Sequence, residues 1–342
     1  MKSTELLCPD AGGLYCAAGK FWIDPLKPVA RAIITHAHAD HARSGSKGYH
    51  TAVENLPVLA ARIGAGAPHH GHEWGRPFEL GNTRVTMYPA GHIFGSSWVR
   101  IESDDATWGV SGDFKRAPDP TCAPFEPAPV DVWLTECTFG LPVYRWPTPG
   151  RVIDEVHQWW LDCRRANRPA VLFCYALGKA QRILAELAGR TDELVWMHGA
   201  MRPLVDAYRE AGIGMLPTRM VSEADKGEKF GGQLILAPPS AAGSTWMRRF
   251  PKHSSGFVSG WMRIRGNRRR RGYDRGFVMS DHADWPALVD TVADMHASRV
   301  ITIHGNGDAL AGYLQSRGLA AESWNLRATL SERSDTSAAG RA

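Results

Sequence analysis

Four potential metal ligands fall within six residues at His36-Ala37-His38-Ala39-Asp40-His41. They follow an apolar, β-prone run that ends in Ile33-Ile34-Thr35. A strand followed by a tight turn can aim His36 and His38 at one ion, and Asp40 with His41 at a second. Imidazole nitrogen and carboxylate oxygen suit Zn²⁺ or Mn²⁺, and the run offers no thiolate. This ligand density marks a metal motif rather than a solvated loop. Downstream, Pro89-Ala90-Gly91-His92, Val110-Ser111-Gly112-Asp113 and Ile301-Thr302-Ile303-His304 each set a ligand-type residue directly behind an apolar run. Taken singly, such a His or Asp is more often structural.

The elements that must position these residues are short. β-prone runs stand at Ala32–Thr35, Val85–Tyr88, Trp108–Val110, Val130–Thr135, Val171–Tyr175, Leu234–Ala237, Phe277–Met279 and Val300–Ile303. Helical periodicity lies between several of them, at Val152–Arg164, Lys179–Leu187, Arg202–Ala211 and Trp285–Met295. Alternation of this kind predicts α/β layers, with chemistry placed just past the strand ends. The Pro-rich passage Pro142 to Pro149 reads as a linker.

In their order, these motifs resemble those of the metallo-β-lactamase superfamily. HAHADH is similar to its HxHxDH signature, His92 to its third motif and Asp113 to the fourth, whose carboxylate bridges two metals. Asp24, eleven residues before Thr35, resembles the first-motif Asp, which braces the ligand loop. The next His of the series, His304, comes 191 residues after Asp113. An inserted domain of roughly 120 residues would account for that gap, and it resembles the β-CASP domain of nucleic-acid nucleases. Leu134-Thr135-Glu136, Met279-Ser280-Asp281-His282 and His304 resemble that subfamily's motifs A, B and C. Tyr175 to Arg182 resembles its strand-to-helix passage. At whole-chain level the resemblance is to bacterial DNA ligase-associated exonucleases, relatives of the Artemis-type repair nucleases.

The resemblance implies an αββα metallo-β-lactamase sandwich interrupted by an α/β β-CASP domain. The expected division is 1–148 and 271–330 for the sandwich, 149–270 for the insertion and 331–342 for a flexible tail. It implies two divalent ions, Zn or Mn. His36, His38 and His92 would hold the first and Asp40, His41 and His304 the second, with Asp113 between. Such a pair lowers the pKa of a bound water and neutralises charge growing on phosphorus. His282 would contact the scissile phosphate or protonate the leaving oxygen, with Glu136 orienting its ring. The implied function is a DNA exonuclease in repair, with a DNA ligase or helicase as functional partners.

Composition agrees with an anionic substrate. The 342 residues carry a net charge of +5. Trp246 to Arg275 holds ten Lys/Arg and one acid, a local +9 that leaves −4 for the rest. Arg263, Arg265, Arg268, Arg269, Arg270, Arg271 and Arg275 are interleaved with Trp261 and Tyr273. Guanidiniums among aromatic rings suit phosphates and bases. The run stops seven residues before His282, so it and Lys179 are expected to contact nucleic acid.

Other readings are narrower. Motif C carries His304, as the RNA-processing β-CASP enzymes do, whereas Artemis-type enzymes usually carry Val, so a ribonuclease stands as the alternative. A silent binding scaffold would show ligand substitutions, and none of the seven positions is substituted. A small-thioester hydrolase explains neither the insertion nor the arginines. His69-His70-Gly71-His72 reads as a surface loop, and Gly178-Lys179 lacks the full phosphate-loop pattern. No apolar run reaches membrane length, no secretory leader is evident, and six cysteines without a CxxC suggest reduced thiols in the cytoplasm.

Overall fold

The computed structural model describes residues 5–264 and 272–324. Arg265 and Arg268 to Arg271, and the tail expected at 331–342, lie outside them. The described residues of Met1–Ala117, Cys122–Pro142 and His282–Ala342 make one compact unit. Those of Pro118–Thr121 and Val143–Asp281 make a second. Mixed sheets and six α-helices among the described residues give an α/β protein. No described helix is long and apolar enough to cross a membrane.

The first unit contains two sheets. One has six strands in chain order, Leu7–Asp10, Gly13–Cys16, Phe21–Ile23, Ala32–Ile33, Tyr49–Ala52 and His69–His72. Its first three are antiparallel and the rest join in parallel. The other has seven strands, with Ala320–Trp324, Arg299–Ile303, Val132–Glu136 and Thr107–Val110 forming its parallel half. Ser97–Glu102, Thr83–Pro89 and Phe78–Leu80 continue it antiparallel.

Side chains alternate across a strand, so neighbouring residues serve opposite layers. Trp108, Leu134 and Ile301 enter a core with Leu14, Phe21 and Ile33 of the six-stranded sheet. Trp133 and Val300, one residue away, enter the opposite core against Trp285, Leu288 and Val292. Those three share one face of the helix Trp285–Asp294, whose N-terminus is capped by Asp284 accepting from Ala287 N at 3.1 Å.

The second unit is a six-stranded, all-parallel sheet. Its order is Thr218–Met220, Val195–Met197, Leu234–Ala237, Ala170–Phe173, Ser254–Val258 and Arg275–Phe277. Helices Pro149–Arg165, Lys179–Leu187 and Arg202–Glu210 belong to it. Leu172 and Leu236 pack on one face with Trp159 and Trp160. Val171, Phe173 and Ile235 pack on the other with Phe257. Truncating Leu172 or Leu236 to Ala in such a core costs about 2–5 kcal/mol.

Three local readings need correction. The strand expected at Phe277–Met279 forms at Arg275–Phe277 instead. Asp274 begins the pairing earlier, its carboxylate accepting from Ser255 N at 2.7 Å. The strand beginning at Ala32 ends at Ile33, because the Thr35 N–H is taken by Asp24. His69–His72, expected as a loop, is the edge strand of the six-stranded sheet. An edge strand with solvated faces needs no apolar alternation, so the pattern gave no sign of it.

Candidate active site

The chemistry-bearing residues of the first unit stand at strand ends. Asp113, Glu136 and His304 follow or close the adjacent parallel strands Thr107–Val110, Val132–Glu136 and Arg299–Ile303. Asp24 and the His36–His41 turn follow Phe21–Ile23 and Ala32–Ile33, and His92 follows Thr83–Pro89. Carboxyl ends of parallel strands are where α/β sheets place ligands. Two backbone features allow the turns. Gly112 has φ +54, and a Cβ there would meet the Thr35 side chain at 2.7 Å. Gly305 has φ +61, and a Cβ there would lie 2.2 Å from the Cys137 carbonyl. Asp24 (φ +43) and His304 (φ +61) hold left-handed conformations without being glycine, a strain typical of functional positions.

His36, His38, His92 and Asp113 bring one donor atom each into a tight group. His36 Nε2 and His92 Nε2 each lie 3.1 Å from His38 Nδ1. Asp113 Oδ2 lies 3.5 Å from His36 Nε2 and 3.6 Å from His92 Nε2. Four donors around one tetrahedral ion at about 2.0–2.1 Å stand about 3.3–3.4 Å apart, so this set fits a Zn²⁺-like cation.

The bracing of these ligands is explicit. Asp24 accepts from Thr35 N at 2.8 Å and from Thr35 Oγ1 at 2.5 Å. Thr35 Oγ1 lies 3.0 Å from His36 Nδ1, and Asp24 Oδ2 lies 2.8 Å from His41 Nδ1. With both Nδ1 atoms engaged, the Nε2 lone pairs of His36 and His41 face the donors around them, a tautomer selection common at metal sites. Thr35, which carries this relay, was not singled out from sequence. Its position directly before His36 was the one available signal.

The electrostatics differ from one ligand to the next. His41 is disfavoured as a cation by burial, yet Asp113 and Asp24 hold it up to about 10. His36 is pushed well below its ordinary range by burial and by the surrounding imidazoles. Burial raises Asp113 to about 6 against the pull of His41 and His282.

The second ligand set is looser than the sequence implies. His41 Nε2 lies 3.5 Å from Asp113 Oδ2, so Asp113 Oδ2 sits between His36 and His41. Asp40 is exposed, with Oδ2 3.9 Å from His41 Nε2. The His304 and His41 ring centroids are 6.3 Å apart. Neither Asp40 nor His304 enters a group of three donors within 4.8 Å among the described residues.

His282 and Glu136 form a separate contact. His282 Nδ1 is 2.9 Å from Glu136 Oε1 and 3.9 Å from Asp113 Oδ2. Burial alone would raise Glu136, but His282 and the donated hydrogen bonds hold it below the usual carboxylate range. Phe114 N and Thr138 N donate to its two oxygens at 3.0 and 3.3 Å.

In the second unit, two expected nucleic-acid contacts are placed differently. Lys179 is buried and paired with Asp281 Oδ1 at 2.9 Å, beside Arg182, so its charge is spent inside the fold. Tyr273 stacks on Phe257 at 4.9 Å and packs into the apolar cluster. Arg263 is exposed, with Nε donating to Val143 O at 3.3 Å.

No family's sequence profile matches the chain. It is 30% identical over 316 residues to a protein of Opitutus terrae named "Probable DNA ligase". The match covers 92% of this chain and 30% of that protein, so the chain spans about a third of that relative's length. It is 32% identical over 110 residues to cleavage and polyadenylation specificity factor subunit 3 of Dictyostelium discoideum, covering 31% of this chain and 14% of that one. Both names come from nucleic-acid processing. A protein of unknown function from Enterococcus faecalis V583 shares the fold, with a TM-score of 0.58 and 13% identity over 86% of this chain and 78% of that one.

Proposed function

We propose that this chain is a two-metal phosphodiesterase that degrades DNA from an end, a metallo-β-lactamase sandwich carrying an inserted β-CASP domain. The observation that carries the reading is the convergence of His36, His38, His92 and Asp113, with the Glu136–His282 pair 3.9 Å beyond Asp113. A lone structural His cluster has no use for a second, carboxylate-held imidazole beside it.

Two divalent cations, held by the His36–His38–His92 set and by His41 with Asp113, Asp40 and His304, would supply an acidified water and neutralise charge on phosphorus. Glu136 fixes His282 with Nδ1–H directed at the carboxylate, so the ring offers Nε2 to substrate. Once protonated, Nε2 can donate to the leaving oxygen while the carboxylate stabilises the imidazolium. Asp24 holds the ligand loop in register through Thr35. The basic run around Arg268–Arg271 is assigned to the phosphate backbone.

DNA is preferred because the relative that aligns along 92% of this chain is named for DNA ligation. RNA stays as the second reading, supported by His304 and by the partial likeness to the polyadenylation factor subunit. Matched end-labelled single strands of DNA and RNA, each with Zn²⁺, Mn²⁺ or Mg²⁺, decide between them. Metal-dependent shortening of the DNA from one end is expected. Faster cleavage of the RNA would transfer the assignment, and cleavage of neither would remove it.

A further inference from the structure

A cavity of about 470 Å³ lies in the first unit beside the metal-ligand turn. Its lining includes Ala39 and Ala42, which flank the Asp40-His41 pair, and three cations: Lys27, Arg43 and Arg62. None of its nine lining residues is acidic. All three cations are exposed. Two other exposed arginines of this unit face a carboxylate: Arg76 meets Glu73 at 2.8 Å and Arg84 meets Glu79 at 3.3 Å. Lys27 and Arg43 have no ion pair among the described residues. Asp40 does not line the cavity, and its carboxylate stands 3.9 Å from His41 Nε2.

Arg62 ties this cavity to the ligand turn. It sits in the last turn of the helix Leu56–Ile63, where the helix dipole favours a cation, and its Nε donates to the Ala37 carbonyl at 3.2 Å. Ala37 lies between His36 and His38. The guanidinium of a cavity-lining residue is thereby tied to the ligand turn. Unmatched cations around a concave surface, with apolar walls between them, suit a chain of phosphates whose sugars need no charge partner.

We infer that Lys27, Arg43 and Arg62 form a backbone-phosphate subsite for the nucleic-acid strand, next to the metal centre and separate from the 246–275 basic run. The inference rests on the nucleic-acid reading above. A strand held here would meet the scissile position through the same turn that carries His36 to His41. Cleavage would then depend on several nucleotides flanking the reacting bond, not on the reacting phosphate alone.

The test uses the metal-loaded protein and a fluorescein-labelled, phosphorothioate single strand that resists cleavage, with anisotropy recorded over a salt series. Lys27→Ala/Arg43→Ala should weaken binding and flatten the slope of log affinity against log salt by about 1.4, at about 0.7 per lost contact. Arg62 is left in place because it also holds Ala37. Arg76→Ala/Arg84→Ala, which removes equal charge from paired positions, should leave the slope unchanged. An unaltered slope in the first variant, or an equal loss in the second, overturns the subsite while wild-type cleavage of an unmodified strand still upholds the nuclease. No binding and no cleavage by the wild type overturns both.

Discussion

His282 Nδ1 rests 2.9 Å from Glu136 Oε1, and the carboxylate it meets is buried and receives two backbone N–H groups. A buried carboxylate held by two backbone N–H groups cannot follow the imidazole, so the imidazole must follow it. On the proposed nuclease reading, Glu136 is the positioning residue and His282 the catalytic one.

Replacing His282 by Ala should therefore leave the metal content intact and lower turnover on DNA by roughly 10²–10⁴-fold. Glu136→Gln keeps a hydrogen-bond acceptor but loses the charge, and should fall between wild type and His282→Ala. Single-turnover cleavage with elemental analysis of the same samples checks both. Loss of metal from His282→Ala, or wild-type turnover, would contradict the division of roles.

Asp24 acts through Thr35 and His41. Asp24→Asn keeps the shape but cannot accept both contacts as strongly, and metal affinity should fall by about 10–100-fold. Competition against a chelator of known affinity measures it. An unchanged affinity would mean that the relay through Thr35 is ornamental.

The histidines His50 and His72, on the last two strands of the six-stranded sheet, predict a pH dependence unrelated to activity. His50 and His72 are both pushed down to about 4, by burial first and then by neighbouring imidazoles. Unfolded histidine titrates near 6.5. Between about 6.5 and 4 the unfolded chain binds protons that the folded chain refuses, so stability falls as pH falls through that window. In His50→Gln/His72→Gln this decline should be shallower in denaturant melts. A decline as steep as in the wild type would refute it.

The ligand turn was legible because its chemistry is local. Four donors in six residues need no tertiary knowledge, and the strand before them is apolar. Helix Lys179–Leu187 was likewise readable from its periodicity, and strand Leu234–Ala237 from its short apolar run. Lys179 was not. Its type suggests solvent and phosphate, but Asp281, distant in sequence, draws it inside. Tyr273 failed for the same reason, since Phe257 and Phe173 take its ring. Short antiparallel strands such as Gly13–Cys16 carry too few residues to show a period. Thr35 escaped because a hydroxyl that relays between Asp24 and His36 looks like any strand threonine.

Everything central turns on Asp113, whose Oδ2 lies 3.5 Å from both His36 Nε2 and His41 Nε2. If that carboxylate is shared by two cations, removing it must empty both positions rather than one. Elemental analysis after exhaustive dialysis should give two equivalents of metal per wild-type chain and close to none for Asp113→Ala. One equivalent retained would assign Asp113 to a single ion, and full occupancy in the variant would contradict the two-metal account outright.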